Sequence, residues 1–478
     1  CAVTTSSSSS VSITGGKVSE GTQTGQNASS SISIGVGIAI AVLKNENVAY
    51  INAGTLSAQS LTINAITKNL SSKVEAISGF SGGDIGIAGS VAVNVVSAKT
   101  EALLKSDITM LDEDGVIDLK ATQSGSFSTS AKSVSEGMAK NLGVGCAIAI
   151  AITGSDVTAK IEDGVQILSP SAGNAVLDSV SLFAKYSGKE QIKSNAGAKG
   201  GKSIVPVLSL IVSGVAVEST FGSGNMVEAK GDVSLSSTNI LERILSADAA
   251  AAGGSVAVGA SFVVDIVNDT TVSSLKRSIK ATNVKVASTA KSTVNATSKA
   301  GANGATSQST TTGDSSGDSS TDGDEDAGEA DRQADKNVSS ASKLSDGANT
   351  KNVNSSSVDS LSSNRQTAQT SEGNVSVAAA FVLNIQNNSC VAEITDYLEI
   401  EAAEKVEIIS INKTVAKIKA TGEATNAETG VGVAVAINIV TYENTAYLGD
   451  TRVSASELYV LALVPTEEAL LSTTANTL

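Results

Sequence analysis

The chain contains no histidine and no tryptophan, and only three each of cysteine, proline and methionine in 478 residues. The missing histidine removes the commonest general acid–base and the commonest metal ligand, which leaves paired carboxylates, Lys or Tyr for any catalysis. Aromatic residues are 3% of the chain while hydrophobic residues reach 41%. The apolar content is therefore Ala, Val, Ile and Leu, too small to fill a wide globular core and suited to a thin core between close walls. With 43 glycines against three prolines, turns fall to Gly, Asn and Asp. Cys1, Cys146 and Cys390 are an odd number without CxxC spacing. The last two lie in or beside apolar runs, where a thiol acts as a small core hydrophobe. Cys1 followed by "AVTTSSSSS" also fits the lipidated end of a lipoprotein, although the same stretch fits the repeat below. No basic head followed by an apolar run marks a secretory signal. The longest apolar runs, 142–154 and 204–217, fall short of the roughly 18–20 residues of a membrane-spanning helix. Their β-branched content predicts buried strands instead.

Lys plus Arg is 33 and Asp plus Glu 48, a formal net charge of −15 with pI near 4.6. That balance argues against nucleic acid and against anionic lipid as the main partner, and favours solubility.

What the chain does contain is one phrase written repeatedly. "GVGIAIAVLKNENVAY" (35–50) returns as "AGSVAVNVVSAKTEAL", "GCAIAIAITGSDVTAK" and "GVAVAINIVTYENTAY". A marker in its second apolar run falls at Ala49, Ala102, Ala159, Ser219, Ser273, Ala392 and Ala446, with intervals of 53, 57, 60, 54, 119 and 54. A second marker, in a "VxLxA" phrase, falls at Ala65, Ala121, Ala184, Ser237, Ser288, Ser410 and Ala462, with intervals of 56, 63, 53, 51, 122 and 52. Both series keep step and both break between residues 273–288 and 392–410. Each unit holds an alternating run such as "SVAVNVV", a polar corner with a short run such as "TEALL", a run such as "VIDLKA", and a Ser/Thr/Lys/Ala stretch ending near Gly. Period-two alternation bounded by Gly, Asn and Asp is the strand signature. The chain reads as all-β, a parallel β-helix or β-solenoid of ~55-residue repeats. Each unit is compatible with two coils or with one large coil. The solenoid is expected over residues 1–300 and 375–478 as one continuous rod. Both ends fall in mid-repeat without a polar cap, which predicts a fragment of a longer protein or a unit that stacks end to end with copies of itself.

Inside the alternating run one position prefers polar residues: Asn94, Asp265, Asn384 and Asn438 align there, with Ala41, Ala151 and Ile211 in the other copies. Stacked Asn side chains form a hydrogen-bonded ladder between coils; the alternative is a position facing solvent.

The doubled interval holds an insertion, residues 301–374, rich in Ser, Gly and Asp, poor in apolar residues and without aromatics. It cannot bury enough surface to offset the entropy of ordering, and a disordered acidic loop is expected, leaving after the strand around Val284–Ala287 and returning near Val375. Asp314, Asp318, Asp322, Asp324 and Asp326 supply enough oxygens to consider Ca²⁺. They lack the EF-hand spacing and terminal Glu, and the Gly/Asp nonapeptide period, so the solvated linker is the simpler reading. No other cofactor is suggested. Asn69, Asn295 and Asn412 stand in Asn-x-Ser/Thr triplets that a Ser/Thr-rich chain contains by chance. No Walker loop, GxSxG elbow or zinc spacing is present, and "GVGIAI" recurs as a strand start without a helix behind it. Asp118, Lys185 and Lys285 occur singly, without the carboxylate cluster a β-helix polysaccharide lyase or hydrolase uses. The chain reads as no enzyme.

"VGVAVAINIVTYENTAYLGD" and "GSVAVNVVSAKTEALLKSDI", followed by "VxLxA" phrases, resemble repeats of very large bacterial exoproteins of the filamentous-hemagglutinin and leukotoxin-type adhesin class. The resemblance covers nearly all of the chain outside 301–374. It implies secretion across an outer membrane, a right-handed parallel β-helix, and adhesion or display at the bacterial cell surface. It brings no catalytic residues. The expected function is a segment of an extracellular structural or adhesive fibre. Its partners would be copies or flanking repeats of the same chain, or glycans or proteins of a host or neighbouring cell. A carbohydrate-active enzyme or a membrane-active exotoxin on the same scaffold is the alternative.

Overall fold

A computed structural model of the protein describes residues 1–15, 32–54, 56–135, 138–170, 175–304, 373–465 and 471–477. These residues form an all-β structure dominated by long parallel strands, with no helix among them. The expected Ca²⁺ residues Asp314, Asp318, Asp322, Asp324 and Asp326, and most of the insertion, lie outside the described residues.

The strands form two facing ladders. The first comprises Ile32–Ile51, Ile85–Leu104, Ala139–Ile161, the second halves of Ser179–Phe221 and Asp232–Leu275, then Gly373–Ile394 and Ala427–Leu448. The second comprises Ala2–Ser7 with Ser10–Gly15, then Leu61–Phe80, Val116–Ser135 and the first halves of the same two long strands. It continues with Ile279–Gly304, Glu399–Thr425, and Glu457–Leu463 with Leu471–Thr477. All pairings in both ladders are parallel. Short pairings such as Ser57–Ala58 with Ile108–Met110 and Ile167–Leu168 close one side between the ladders.

The two series of sequence markers are two rows of this register. Ala49 pairs with Ala102, Ala102 with Ala159, Ala159 with Ser219, Ser219 with Ser273, Ser273 with Ala392 and Ala392 with Ala446. Ala65, Ala121, Ala184, Ser237, Ser288, Ser410 and Ala462 pair likewise. The 119-residue interval is spanned directly by Ser273 and Ala392. The strands are longer than the alternating phrases alone suggest. The polar corner belongs to the same 20-residue strand as the run before it, and the Ser/Thr/Lys/Ala stretch continues the "VxLxA" strand. The strand entering the insertion likewise runs on to Gly304 rather than ending near Ala287. Ser and Thr keep strand alternation, and some of their hydroxyls find partners across the interior, as Ser133 does at the Ala88 carbonyl (3.1 Å), so polarity does not break the strand.

The rows of small residues let the ladders approach closely. The Ser237 hydroxyl bonds those of Ser273 and Ser288, each at 2.9 Å, and Ser219 donates to the Leu182 carbonyl at 2.9 Å. A second narrow zone lies toward the tight reversals. There the Ser194 hydroxyl donates to the Leu208 carbonyl at 2.6 Å, and Ser209 to the Ser246 carbonyl at 2.7 Å. A Cβ on Gly143 would stand 2.6 Å from the Lys199 carbonyl oxygen, and one on Gly145 2.8 Å from that of Gly197, so glycine is required by the approach of the facing backbone. The reversal into Ala427–Leu448 uses Asn426 at φ 52°, a left-handed conformation that Asn tolerates. Beside a smaller cluster of Leu43, Leu70, Val96 and Phe127, two large apolar cores lie in the interior. One holds Leu61, Ile63, Ile117, Leu119 and Phe221; the other holds Val74, Phe80, Ile192 and Val263.

A bulky residue in a waist row should force the ladders apart. Ala121→Leu is expected to lower stability by about 1–3 kcal/mol. Ala121→Ser, the residue used at Ser237, Ser288 and Ser410 of the same row, should cost much less; urea unfolding midpoints of the two variants make the comparison.

Candidate functional site

Between the two apolar cores runs a seam of inward polar side chains that link the ladders. It begins where Ser7 and Ser9 bond Asn45. It continues from Asn47 to Thr67 (3.2 Å), Thr67 to Thr100 (2.8 Å), Thr100 to Gln123 (2.9 Å) and Gln123 to Ser155 (2.9 Å). Toward the other end Asn388 donates to Thr414 at 3.1 Å, Asn412 to the Glu443 carbonyl at 2.8 Å, and Ser410 to Asn444 at 2.6 Å.

In the middle the seam becomes ionic. Arg243 is fully buried and donates through Nε to Glu190 at 3.2 Å, through Nη2 to both Asp269 oxygens at 2.9 and 3.1 Å, and through Nη1 to Ser292 at 3.2 Å. Glu190 also accepts from Thr153 at 2.6 Å and Ser213 at 3.1 Å, and Asp269 accepts the Val215 amide at 3.0 Å. Burial works against the charge on Arg243, but the Asp269 and Glu190 carboxylates outweigh it and hold the guanidinium protonated. None of these three residues was singled out by motif. Their available signal was parity: Arg243 alternates with Leu241 and Leu245, all three pointing inward.

The aligned polar position of the repeat also lies inside. Asn94, Asp265 and Asn384 are fully buried, and the register places Asp265, Asn384 and Asn438 on consecutive strands. Asn384 donates to Asn438 at 2.7 Å. Asn94 is separated from them by Ala151 and Ile211, and its Oδ1 accepts instead from Ser72 of the facing ladder at 2.7 Å. Neither oxygen of Asp265 accepts a hydrogen bond of ordinary geometry, with Gln386 beside it on the next strand. Burial pushes the Asp265 carboxyl up to about 7; Arg243 pulls it down, and the charges of Glu190 and Asp269 add to the rise.

Outside, the two ladders differ. Ser126, Ser128, Lys189 and Gln191 of the second ladder face outward, a polar surface. The outward residues of the first ladder are apolar in row after row. Ile38, Val91, Ile148, Leu208, Phe262, Phe381 and Val435 form one row, and Ile40, Val93, Ile150, Leu210, Val264, Leu383 and Ile437 the next. Phe262 and Phe381 stand with ring centroids 6.2 Å apart. Ile152 (45%), Ile204 (44%) and Phe262 (41%) remain well exposed in mid-ladder. Strands that are apolar on both faces are characteristic of sheets covered on both sides.

A shallow groove of about 520 Å³ lies along the second ladder, lined by Asp232, Asn283, Lys285, Glu404, Glu407 and Glu457 among others. Some of its charges are paired: Glu407 meets Lys405 at 2.9 Å and Lys285 at 3.8 Å, and Asp232 accepts from Asn283 at 2.9 Å. Asp118 and Lys185 lie elsewhere on the ladder and do not join it. Among the described residues no group of three or more Cys, Asp or Glu is placed to hold a metal ion, and no helix is long and apolar enough to cross a membrane. Comparison of the chain with family models, with curated proteins and with solved structures finds no match.

Two outcomes are expected from the seam. Arg243→Met strands two buried carboxylates and should cost about 3–5 kcal/mol, read from the denaturant midpoint at pH 7. Asp265 acts in the opposite sense. Between pH ~4 and ~7 the folded chain keeps a proton that the unfolded chain has released, so this group's contribution to stability falls as pH rises through that window. Asp265→Asn should therefore melt higher than the parent at pH 8 and close to it at pH 4; equal differences at both pH values would contradict the assignment.

Proposed function

We propose that this chain is a segment of a β-solenoid in a very large extracellular fibre or adhesin, acting as a scaffold and attachment surface rather than as a catalyst. The observation that carries the reading is the register. Every marker residue pairs with its counterpart one full interval away, through both ladders and across the insertion. On this reading each interval is a single large coil, right-handed as parallel crossovers are. Coils stack about 4.8 Å apart, and the chain lengthens its array by adding intervals. The polar Ser/Thr/Lys surface of the second ladder is the solvated side, available to glycans or proteins of a neighbouring cell. A membrane-active exoprotein is the second reading, favoured by the apolar outer face of the first ladder. A carbohydrate-active enzyme draws less support, because the groove carboxylate Glu407 is held by two lysines.

Cryo-electron microscopy of the purified chain should show a slab whose power spectrum carries a spacing near ~4.8 Å along an axis about 35 Å long for seven stacked coils. Particles without that spacing would remove the solenoid. Immunogold labelling of the producing cells tests the location: gold on the cell surface or on shed material is expected, and gold confined to the cytoplasm would overturn the fibre reading.

A further inference from the structure

The outer face of the first ladder is broad, flat and apolar, and we propose that it is a self-association surface on which a second copy of this chain packs face to face. Outward residues from Ile32 to Val42 fall in six rows about 6.8 Å apart, spanning about 34 Å, and seven strands about 4.8 Å apart span about 29 Å. The patch therefore offers about 1,000 Å² per copy and about 2,000 Å² in a pair, the scale at which lasting dimers form. Its middle is Ile148, Leu208 and Phe262, and beyond Val42 it gives way to a charged rim. There Lys44 pairs with Glu46 and Lys99 with Glu101, each at 3.0 Å. An apolar centre with a polar rim is the anatomy of a protein–protein interface.

The geometry favours a copy of this chain over other occupants. Two flat sheet faces pack about 10 Å apart with interdigitating side chains, and a two-fold axis through the patch makes it complementary to itself. The rim carries both signs in close pairs, so it does not repel its own copy. Face-to-face pairing does not depend on the chain forming part of a fibre, so either reading can fail while the other stands.

Sedimentation velocity of the full chain from 1 to 100 μM tests the proposal, with a dimer as the expected species. The double variant Ile152→Lys/Phe262→Lys places charges at two exposed positions of the patch and should weaken pairing by on the order of 100-fold or more, with an unchanged far-ultraviolet circular dichroism spectrum. Should that variant not fold, Cys146 reports on the native face. Against the expectation of a core thiol, it lies partly exposed in the outward row with Val36 and Gly89, because alternation puts it on the outer face, whereas Cys390 is buried as expected. In a Cys1→Ser background its maleimide labelling should slow at least ~10-fold as concentration rises through the dimer range, because burial in the interface hides the thiol. A monomer at 100 μM, a dimer of undiminished affinity in the folded double variant, or a labelling rate independent of concentration would each overturn the proposal. So would a monomer that binds phosphatidylcholine vesicles through this face, which would assign the patch to lipid.

Discussion

Main-chain hydrogen bonding in parallel register places the residues of a ladder, outside a few register shifts such as that between Gly200 and Lys202, directly over their counterparts in the next strand, and the rest of the structure depends on that stacking. A side chain chosen once is in effect chosen for a whole row. Rows of Ala and Ser, such as Ala65 to Ala462 and Ala49 to Ala446, set how near the facing ladders come. A single large side chain there would be felt in the strands on either side. The near absence of aromatics follows from the same constraint. Phe80, Phe127 and Phe221 are accommodated inside where their neighbours are small or at the margins of the interior, and the Phe262–Phe381 pair is placed outside.

The polar seam shows how such an interior tolerates charge. Glu190 and Arg243 are paired on the second-ladder halves of Ser179–Phe221 and Asp232–Leu275, and Asp269 lies on the first-ladder half of the latter, so the hydrogen bonds from Arg243 span both the step between strands and the gap between ladders. Buried charges of this kind add little net stability over an apolar core of the same shape, but removing one partner is costly. They also penalise misregistration: a slip of one residue would turn Arg243 outward and leave the carboxylates facing Ile244 or Glu242. Asp265 stands next to this cluster, and its burial makes the carboxyl resist ionisation because Arg243 alone does not offset it, whereas the burial of Arg243 is outweighed by the Asp269 and Glu190 carboxylates.

The outer surfaces divide the protein into two sides of different chemistry. Ser, Thr and Lys cover the second ladder and need no partner beyond water. Ile, Val, Leu and Phe cover the outward half of the first ladder, where the same alternation that fills the core also presents apolar residues to the outside. One side is thus polar and the other apolar, and both follow from which residues occupy alternate positions of the strands.

The spacing of the markers in the linear sequence determined the strand pairing: residues 53 to 60 apart carry the same small side chain because they lie over one another, and the register pairs those same residues. The polar position at Asn94, Asp265, Asn384 and Asn438 was visible for the same reason. The sequence left open whether that position faces inward or outward, because alternation alone does not say which side is covered. Strand length was also obscured, since polar corners such as Asn45–Asn47 look like turns until a facing residue such as Thr67 satisfies them. Only the tertiary structure decided which apolar rows are core and which are outer surface. It alone brought Glu190, Arg243 and Asp269 together, because they lie 26 to 79 residues apart and no local pattern encodes a contact between two facing ladders.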